Sequence, residues 1–376
     1  MAKASQSPDS SEMLDGGLVS INLQALCANY AHMKALSKTA ETACVVKADA
    51  YGLGLSEVAP ALHQAGCGTF FVAQMGEALA LRALLPEVTI YVLNGLARDQ
   101  AALFAEASLR PCLISQQQMS DWQSYCQSQK TAYPAALFID TGFNRLGLSA
   151  TDIADVSAAP EIFDGWELSL IASHLACADD PQHPMNKAQL ESFKDARAQL
   201  PAAPACLANS GGVFLGDNYL FDMTRVGISL YGGAANGDNG AALETVVSLY
   251  APLLQTRRLS LGESIGYGAT FSAPHEMQIG IVGAGYGDGL SRHFGGVNGR
   301  PAHVHINGQA AAILGRISMD SLAIDLTDMK EPPALGCAVE IFGDNHKLDT
   351  MAASAKTISY ELLTSLGSRY KRKWTR

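Results

Sequence analysis

The chain has 376 residues, 48% of them hydrophobic and 16% charged, enough apolar material for a large core and two domains. Its 26 Lys+Arg against 36 Asp+Glu leave a net charge of -10, which excludes the basic footprint of a nucleic-acid binder or of a protein held on anionic membrane. No apolar run reaches the length of a membrane span, and the polar, Ser-rich residues 1–17 lack the hydrophobic core of a signal peptide. They read as a disordered leader on a cytoplasmic protein. The 8 cysteines, none in a CxxC pair, fit reduced thiols better than a disulfide framework or a zinc site.

After the leader, 18–23 has a strand pattern and 24–36 carries apolar residues at helical spacing. Apolar β-rich runs then alternate with helical stretches. Strands are predicted at 43–46, 69–72, 89–92, 109–113, 135–139, 167–173, 204–208 and 223–226, with helical patterns such as 76–85 and 185–200 between them. About eight such repeats imply an α/β fold of the (β/α)8 barrel type rather than an open sheet. The pattern stops at Gly232-Gly-Ala-Ala-Asn-Gly-Asp-Asn-Gly240, a run rich in turn formers. We read it as a linker, which divides the chain into leader 1–17, barrel 18–240 and a C-terminal, mostly-β domain 241–376. Strand 18–23 is left free to pack on either domain. Strands are predicted at 246–260, 278–282, 302–306, 310–314 and 338–342, and helices at 351–356 and 358–366. The basic end, Lys371-Arg-Lys-Trp-Thr-Arg376, reads as a solvated tail.

The most informative string is Cys44-Val-Val-Lys47-Ala-Asp-Ala-Tyr51-Gly-Leu-Gly54. It places an amine at the end of an apolar strand, the face on which such barrels carry their chemistry. Partial burial would lower the pKa of that amine and free it to form a Schiff base. By spacing alone it is a solvated lysine closing a strand. Further polar groups follow later strands: Ile139-Asp-Thr-Gly-Phe-Asn-Arg145-Leu-Gly, Ser173-His174-Leu-Ala-Cys-Ala-Asp179, Ala208-Asn209-Ser210-Gly-Gly and Thr224-Arg225-Val-Gly227-Ile228. Ser210, expected to start a helix, and Gly227-Ile228 suit a phosphate; an ordinary N-cap would also account for Ser210. Arg145 and Arg225 are fixed cations fit for a carboxylate or a ring nitrogen. Taken singly, each arginine is a surface or ion-pair residue, and His174 a structural histidine. The β domain adds Ser264-Ile-Gly-Tyr267-Gly-Ala-Thr-Phe271, Gly283-Ala-Gly-Tyr286-Gly-Asp288-Gly, Gly315-Arg316-Ile-Ser-Met319-Asp320 and Ile358-Ser-Tyr360-Glu361. The GxG element at 283–285 is not followed by an apolar helical period, so a dinucleotide loop fails on context. His303 and His305 share a strand face without a third ligand, so they read as a solvated edge and no metal site is expected.

Taken together and in order, these strings resemble the alanine racemases, from about Leu18 to Arg372. The resemblance implies a fold-type III enzyme of pyridoxal 5'-phosphate (PLP) that interconverts L-alanine and D-alanine, a homodimer whose active sites each use one chain's barrel and the other's β domain. It implies that Lys47 carries PLP and acts as one catalytic base, with Tyr267 of the partner subunit as the other. Two bases on opposite faces of the α-carbon exchange its proton without rotation of the substrate. A tyrosine base, with a reference pKa of about 10, needs neighbours that lower it. By the same resemblance Arg225 faces the pyridine nitrogen and, with His174, forms part of that network. Tyr51, Ser210, Gly227, Ile228 and Tyr360 hold the phosphate, with Asn209 beside them. Arg145 and the Met319 backbone fix the substrate carboxylate, while Asp179, Tyr286, Arg316 and Asp320 match the entrance or the partner-side wall.

One position departs from the family pattern. Many members carry a carbamate-modified lysine before the DTG motif, where it orients the substrate-binding arginine; here the residue is Phe138. A phenyl ring accepts no hydrogen bonds from a guanidinium, so a bound chloride or a nearby acidic residue is expected to serve Arg145 instead. Other readings stay open: a racemase of serine or of broader range, a PLP-dependent decarboxylase, or a PLP carrier without activity. Tyr360 and Tyr286 would crowd a side chain larger than methyl if they sit as in the family, although a pocket discriminates one methylene only modestly. The decarboxylase's cysteine-bearing substrate motif has no counterpart here, and a carrier would not need the long β domain.

Overall fold

The computed structural model describes residues 8, 10–13, 16–237, 242–295 and 301–376. They form two compact units: one of 27–230 and 234–243, the other of the described residues up to 26 together with 231–233 and 244–376. The first regular strand, β1 (Leu18–Asn22), belongs to the second unit. Most of the expected leader lies outside the described residues. Within it, however, Ser10–Met13 forms a 3-10 turn, and Met13 is buried with Leu18 and Tyr250. A methionine with an apolar niche is ordered by burial even where its neighbours are polar.

The barrel unit carries eight parallel strands: β2 (Glu41–Val45), β3 (Thr69–Val72), β4 (Thr89–Val92), β5 (Arg110–Leu113), β6 (Pro134–Phe138), β7 (Glu167–Ala172), β8 (Ala205–Cys206) and β9 (Met223–Val226). They pair in the order β8-β7-β6-β5-β4-β3-β2-β9. The ring closes between its end strands, where the Arg225 amide donates to the Ala208 carbonyl at 2.9 Å and Asn209 bridges to Arg225. Strands wrapped by helices are buried on both faces, and Thr69-Phe-Phe-Val72 is buried throughout, Phe71 stacking on Tyr91 of the next strand at 4.9 Å.

The β unit is built on β10 (Val247–Leu259). Its residues 249–252 pair with β17 (Ala338–Phe342) and its residues 253–259 with β13 (Met277–Val282), the second pairing carrying a register shift between Leu253 and Gln255. An extra residue of this kind bends a strand and lets it serve two surfaces. The remaining strands are a two-residue pair, β11 (Ser264–Ile265) with β12 (Phe271–Ser272), then β14 (His303–Ile306), β15 (Gln309–Leu314), β16 (Leu322–Asp325) and β18 (Lys371–Thr375). The sequence reading missed β11, β12 and β16, and it took β18 for a solvated tail. β18 instead pairs in parallel with β1, its side chains alternating between exposed and half-buried. Backbone pairing asks nothing of side-chain polarity, so a basic strand sits at a sheet edge, where charge also guards against further pairing. The linker at 232–240 is described only to Gly237. His305 is not part of a solvated edge: it is half-buried, its ring 5.8 Å from that of His346. Among the described residues, no helix is long and apolar enough to cross a membrane.

Candidate active site

Lys47 stands two residues past the end of β2, and between them the Val46 amide still donates to the Phe71 carbonyl of β3 at 3.0 Å. The four residues after Lys47, Ala48 to Tyr51, are all left-handed, with φ between 52° and 58°. None is glycine, and each such residue costs roughly 1–2 kcal/mol, so the surroundings must hold the turn. The Glu77 carboxylate does so from the first turn of the helix Met75–Leu84, accepting the Ala48 amide at 2.6 Å and those of Ala73 and Gln74 at 2.8 and 3.0 Å. Asp49 caps the helix that follows, accepting from the Leu55 amide at 2.7 Å. Burial, then the charges of Arg145 and Arg225, press the Lys47 amine below its ordinary pKa, with Glu77 pulling the other way.

Arg225 on β9 is only 3% exposed. Its guanidinium donates to the Ser173 carbonyl and, at 3.3 Å, to the Cys206 sulfur, and it lies 5.7 Å from the ring centres of both Phe71 and Phe138. The ring that stands in place of the family's lysine therefore faces Arg225. Arg225 also approaches His174 Nδ1 at 3.5 Å. Burial first, then Arg225, Arg145 and Lys47, holds the His174 pKa well below its usual value, so the imidazole is neutral and Nδ1 acts as the acceptor. Gln189 fixes the segment from behind, donating to the His174 carbonyl at 2.9 Å and accepting from the Ala176 amide at 2.8 Å.

Ser210 is buried, and its hydroxyl accepts the Gly227 amide at 2.9 Å. It does not begin an α-helix as expected: a short 3-10 turn follows, at Gly212–Leu215, and Asn209 Oδ1 accepts the Gly212 amide at 2.9 Å. A Cβ on Gly227 would stand 2.5 Å from the Tyr51 hydroxyl, so residue 227 must be glycine for Tyr51 to come this close. Ile228, fully buried, opens the next turn. The barrel thus brings Lys47, Tyr51, His174, Asn209, Ser210, Arg225, Gly227 and Ile228 to the ends of four neighbouring strands, with Arg145 within electrostatic reach of Lys47 and His174. Asp179 lies exposed on the loop beyond His174. Arg145 has no acidic partner among the described residues; its guanidinium lies instead on the face of Phe143, 4.2 Å from the ring centre. The acidic stand-in expected for it is therefore corrected.

The other expected residues lie in the β unit. Tyr267 sits at the tip of the hairpin made by β11 and β12, 65% exposed. Arg316 runs beside that tip, its Nη1 placed 3.2 Å from where a Gly268 Cβ would be. The Tyr286–Asp288 turn is laid on the next segment by backbone bonds, Tyr286 N to Ser318 O at 3.0 Å and Gly287 N to Met319 O at 2.8 Å. The buried Asp288 carboxylate meets Arg369 Nε at 2.7 Å, and Arg369 Nη1 reaches Asp320 at 2.7 Å. Tyr360 is in the helix Ser359–Thr364. Sequence reasoning missed Glu77, Phe143, Gln189 and Arg369. Only Glu77 left a signal, as the acidic fourth residue of a capping box that opens with Gln74.

Fold and site define a lysine-bearing (β/α)8 barrel followed by a β domain, with the cations Lys47, Arg145 and Arg225 gathered at the barrel mouth. Two family models match the chain, "Alanine racemase, N-terminal domain" over 21–235 and "Alanine racemase, C-terminal domain" over 246–374. The chain belongs to the alanine racemase family. It is 41% identical to an alanine racemase of Rhizobium meliloti, over 94% of this chain and 95% of that protein. It is 40% identical to a catabolic alanine racemase of Agrobacterium fabrum, over 95% and 92%. The crystal structure of alanine racemase from Bartonella henselae, with covalently bound pyridoxal phosphate, superposes with a TM-score of 0.91 at 39% identity, covering 96% of this chain and 99% of that one.

Proposed function

We infer that the protein is an isomerase that interconverts L-alanine and D-alanine with pyridoxal 5'-phosphate. The observation that carries this is Lys47, an amine held by a strained turn at the barrel mouth and pressed toward neutrality by burial and two arginines. The mouth fits the cofactor. Of the charges that act on the Lys47 amine, Arg145 and Arg225 outnumber the carboxylate of Glu77, which is engaged with backbone amides, so a phosphate-bearing aldehyde supplies both negative charge and a partner for the amine. Tyr51, Ser210, Gly227 and Ile228 would hold its phosphate, with Asn209 and Tyr360 in support. Arg225, which donates but accepts nothing, would face its ring nitrogen, with His174 keeping the guanidinium in place. When bound, the cofactor draws electrons from the substrate's α-carbon and so acidifies its proton.

The remaining work falls to side chains. Lys47 Nζ takes or returns the α-proton on one face. Tyr267 of the partner subunit does so on the other, in a homodimer that completes each barrel mouth with the second chain's β unit. The exposure of Tyr267, Met319 and Tyr286 as large apolar groups, at 65%, 53% and 40%, supports a covering second copy. Arg145 and the Met319 backbone hold the substrate carboxylate, and Asp179, Tyr286, Arg316 and Asp320 border the entrance. All eight cysteines are free, which supports a cytoplasmic setting. The test is the optical rotation of L-alanine incubated with protein and pyridoxal phosphate, beside a Lys47→Ala control and a serine arm. Decay to zero with the wild type, and at least about 10³-fold slower decay with the variant, is expected. Unchanged rotation of alanine would overturn the assignment.

A further inference from the structure

We propose that Phe143 is the positioning residue for Arg145: its ring face holds the guanidinium ready for a ligand carboxylate, in the place where an anion would otherwise serve. The proposal rests on the reading of Arg145 as the carboxylate ligand and adds what orients it.

The loop from 139 to 148 is closed on itself, Asp140 N donating to Leu148 O at 2.8 Å and Leu148 N to Phe138 O at 2.9 Å. Within it the Asp140 carboxylate accepts the amides of Gly142 at 2.8 Å and Asn144 at 3.1 Å. The nearest acid of the loop is therefore committed to backbone on both sides of Phe143. Asn144 is left-handed, with φ of 57°, and across this bend the side chains of 143 and 145 meet. Phe143 is fixed in turn by a second contact, its ring 5.4 Å from that of His174 at 67°, an edge-on packing. Arg145 Cζ stands 4.2 Å from the ring centre, inside the range where a cation is held by the aromatic quadrupole. No hydrogen-bond or ion-pair partner for the guanidinium is found among the described residues.

Such support differs in kind from a carboxylate or carbamate. The ring orders the side chain yet takes none of its five N–H donors, so all stay available to the ligand, and part of the rotamer entropy of binding is lost in advance. Phe138, turned toward Arg225, has no share in this.

The experiment compares Phe143→Leu, Phe143→Tyr and Arg145→Ala holoenzymes. It reads kcat and KM for L-alanine and, separately from turnover, the calorimetric affinity for propionate, a carboxylate without the amine. Phe143→Leu should raise KM about 2- to 5-fold and weaken propionate by the same factor, with kcat unchanged within about 1.5-fold. Phe143→Tyr, which keeps the π face, should match the wild type in both. Arg145→Ala should weaken propionate further, and Phe143→Leu should add nothing on top of it. If Arg145→Ala leaves propionate binding intact, the assignment of Arg145 fails and the proposal with it. If Arg145→Ala weakens binding but Phe143→Leu does not, only the proposal fails. A fall in kcat at constant KM would place the role of Phe143 at His174 instead. A wild-type KM lowered by added chloride, with Phe143→Leu silent, would give the task to an anion. Should Phe143→Leu not fold, trifluorination of the Phe143 ring removes its negative face at nearly constant shape, with the same expectations.

Discussion

The barrel mouth and the Tyr267 hairpin carry the two groups expected to move the proton, and they are built on opposite plans. Around half-buried Lys47 the partners are held from within: buried Arg225 is fixed by a carbonyl, a thiol and aromatic faces, Gln189 holds the His174 carbonyl, and a carboxylate pins the turn that presents the amine. Tyr267 stands two-thirds exposed at the tip of a hairpin two residues long on each side. One region is ordered by contacts among its own groups; the other leaves its tyrosine ring open to solvent. Electrostatic tuning follows burial, and so the groups of the proposed site whose pKa is displaced, Lys47 downward and His174 well downward, are on the barrel side.

The sharpest way to break that contrast is to separate the two halves. Lys47→Ala and Tyr267→Ala should each be almost inactive alone, yet their mixture, allowed to exchange subunits, should regain roughly a quarter of wild-type activity, because half of the dimers are mixed and each of those has one intact site. No recovery would mean that each chain uses its own tyrosine. The next largest effect should come from Gly227→Ala. The added methyl strikes the Tyr51 hydroxyl, and pyridoxal phosphate affinity, followed by equilibrium titration, should fall roughly 10- to 100-fold, about 1.4 to 2.8 kcal/mol. A matching Gly268→Ala change on the exposed hairpin should leave cofactor affinity alone.

Smaller effects sharpen the account of the barrel. Glu77→Ala removes the acceptor for three backbone amides, and urea unfolding should show a loss of about 1–3 kcal/mol, with slower cofactor uptake as the left-handed turn loosens. His174→Gln tests the electrostatics through pH. Above about 6.5, the ordinary histidine value, His174 is neutral in both folded and unfolded chains. Below it the unfolded chain takes up a proton that the folded one refuses, so stability is lost as pH falls from 6.5. The difference in stability between wild type and His174→Gln should therefore acquire a slope below pH 6.5, at most about 1.4 kcal/mol per pH unit, and none above it.

How far the residues themselves revealed this arrangement depends on what kind of force places each part. The barrel strands were legible because strands buried on both faces must be apolar runs between turn formers: 69–72, 89–92 and 223–226 were read to the residue. β18 was not, since Lys371-Arg-Lys-Trp-Thr is placed by its backbone partner β1 rather than by its own hydrophobicity. Nor does Ala48-Asp-Ala-Tyr51 announce a left-handed turn, because no glycine marks it; a carboxylate 29 residues on, Glu77, makes it possible. Lys47, His174 and Arg225 could be singled out only because they stand at strand ends in motifs with a family resemblance. The link from Arg145 to Phe143 is a contact across one bend, and no spacing rule foretells it.

The pairing of β1 with β10 and β18 has a consequence for synthesis. β1 leaves the ribosome ahead of the barrel, while both strands that will flank it are translated after the barrel is complete. Throughout that interval Val19 and Ile21, fully buried in the finished sheet, have no edge to join, and an apolar strand without neighbours is a seed for pairing between chains. Crowded polysomes and fast elongation should thus be harder on this strand than on any in the barrel, whose partners mostly follow one another in translation. A chaperone that binds short extended apolar segments would find an opportunity here.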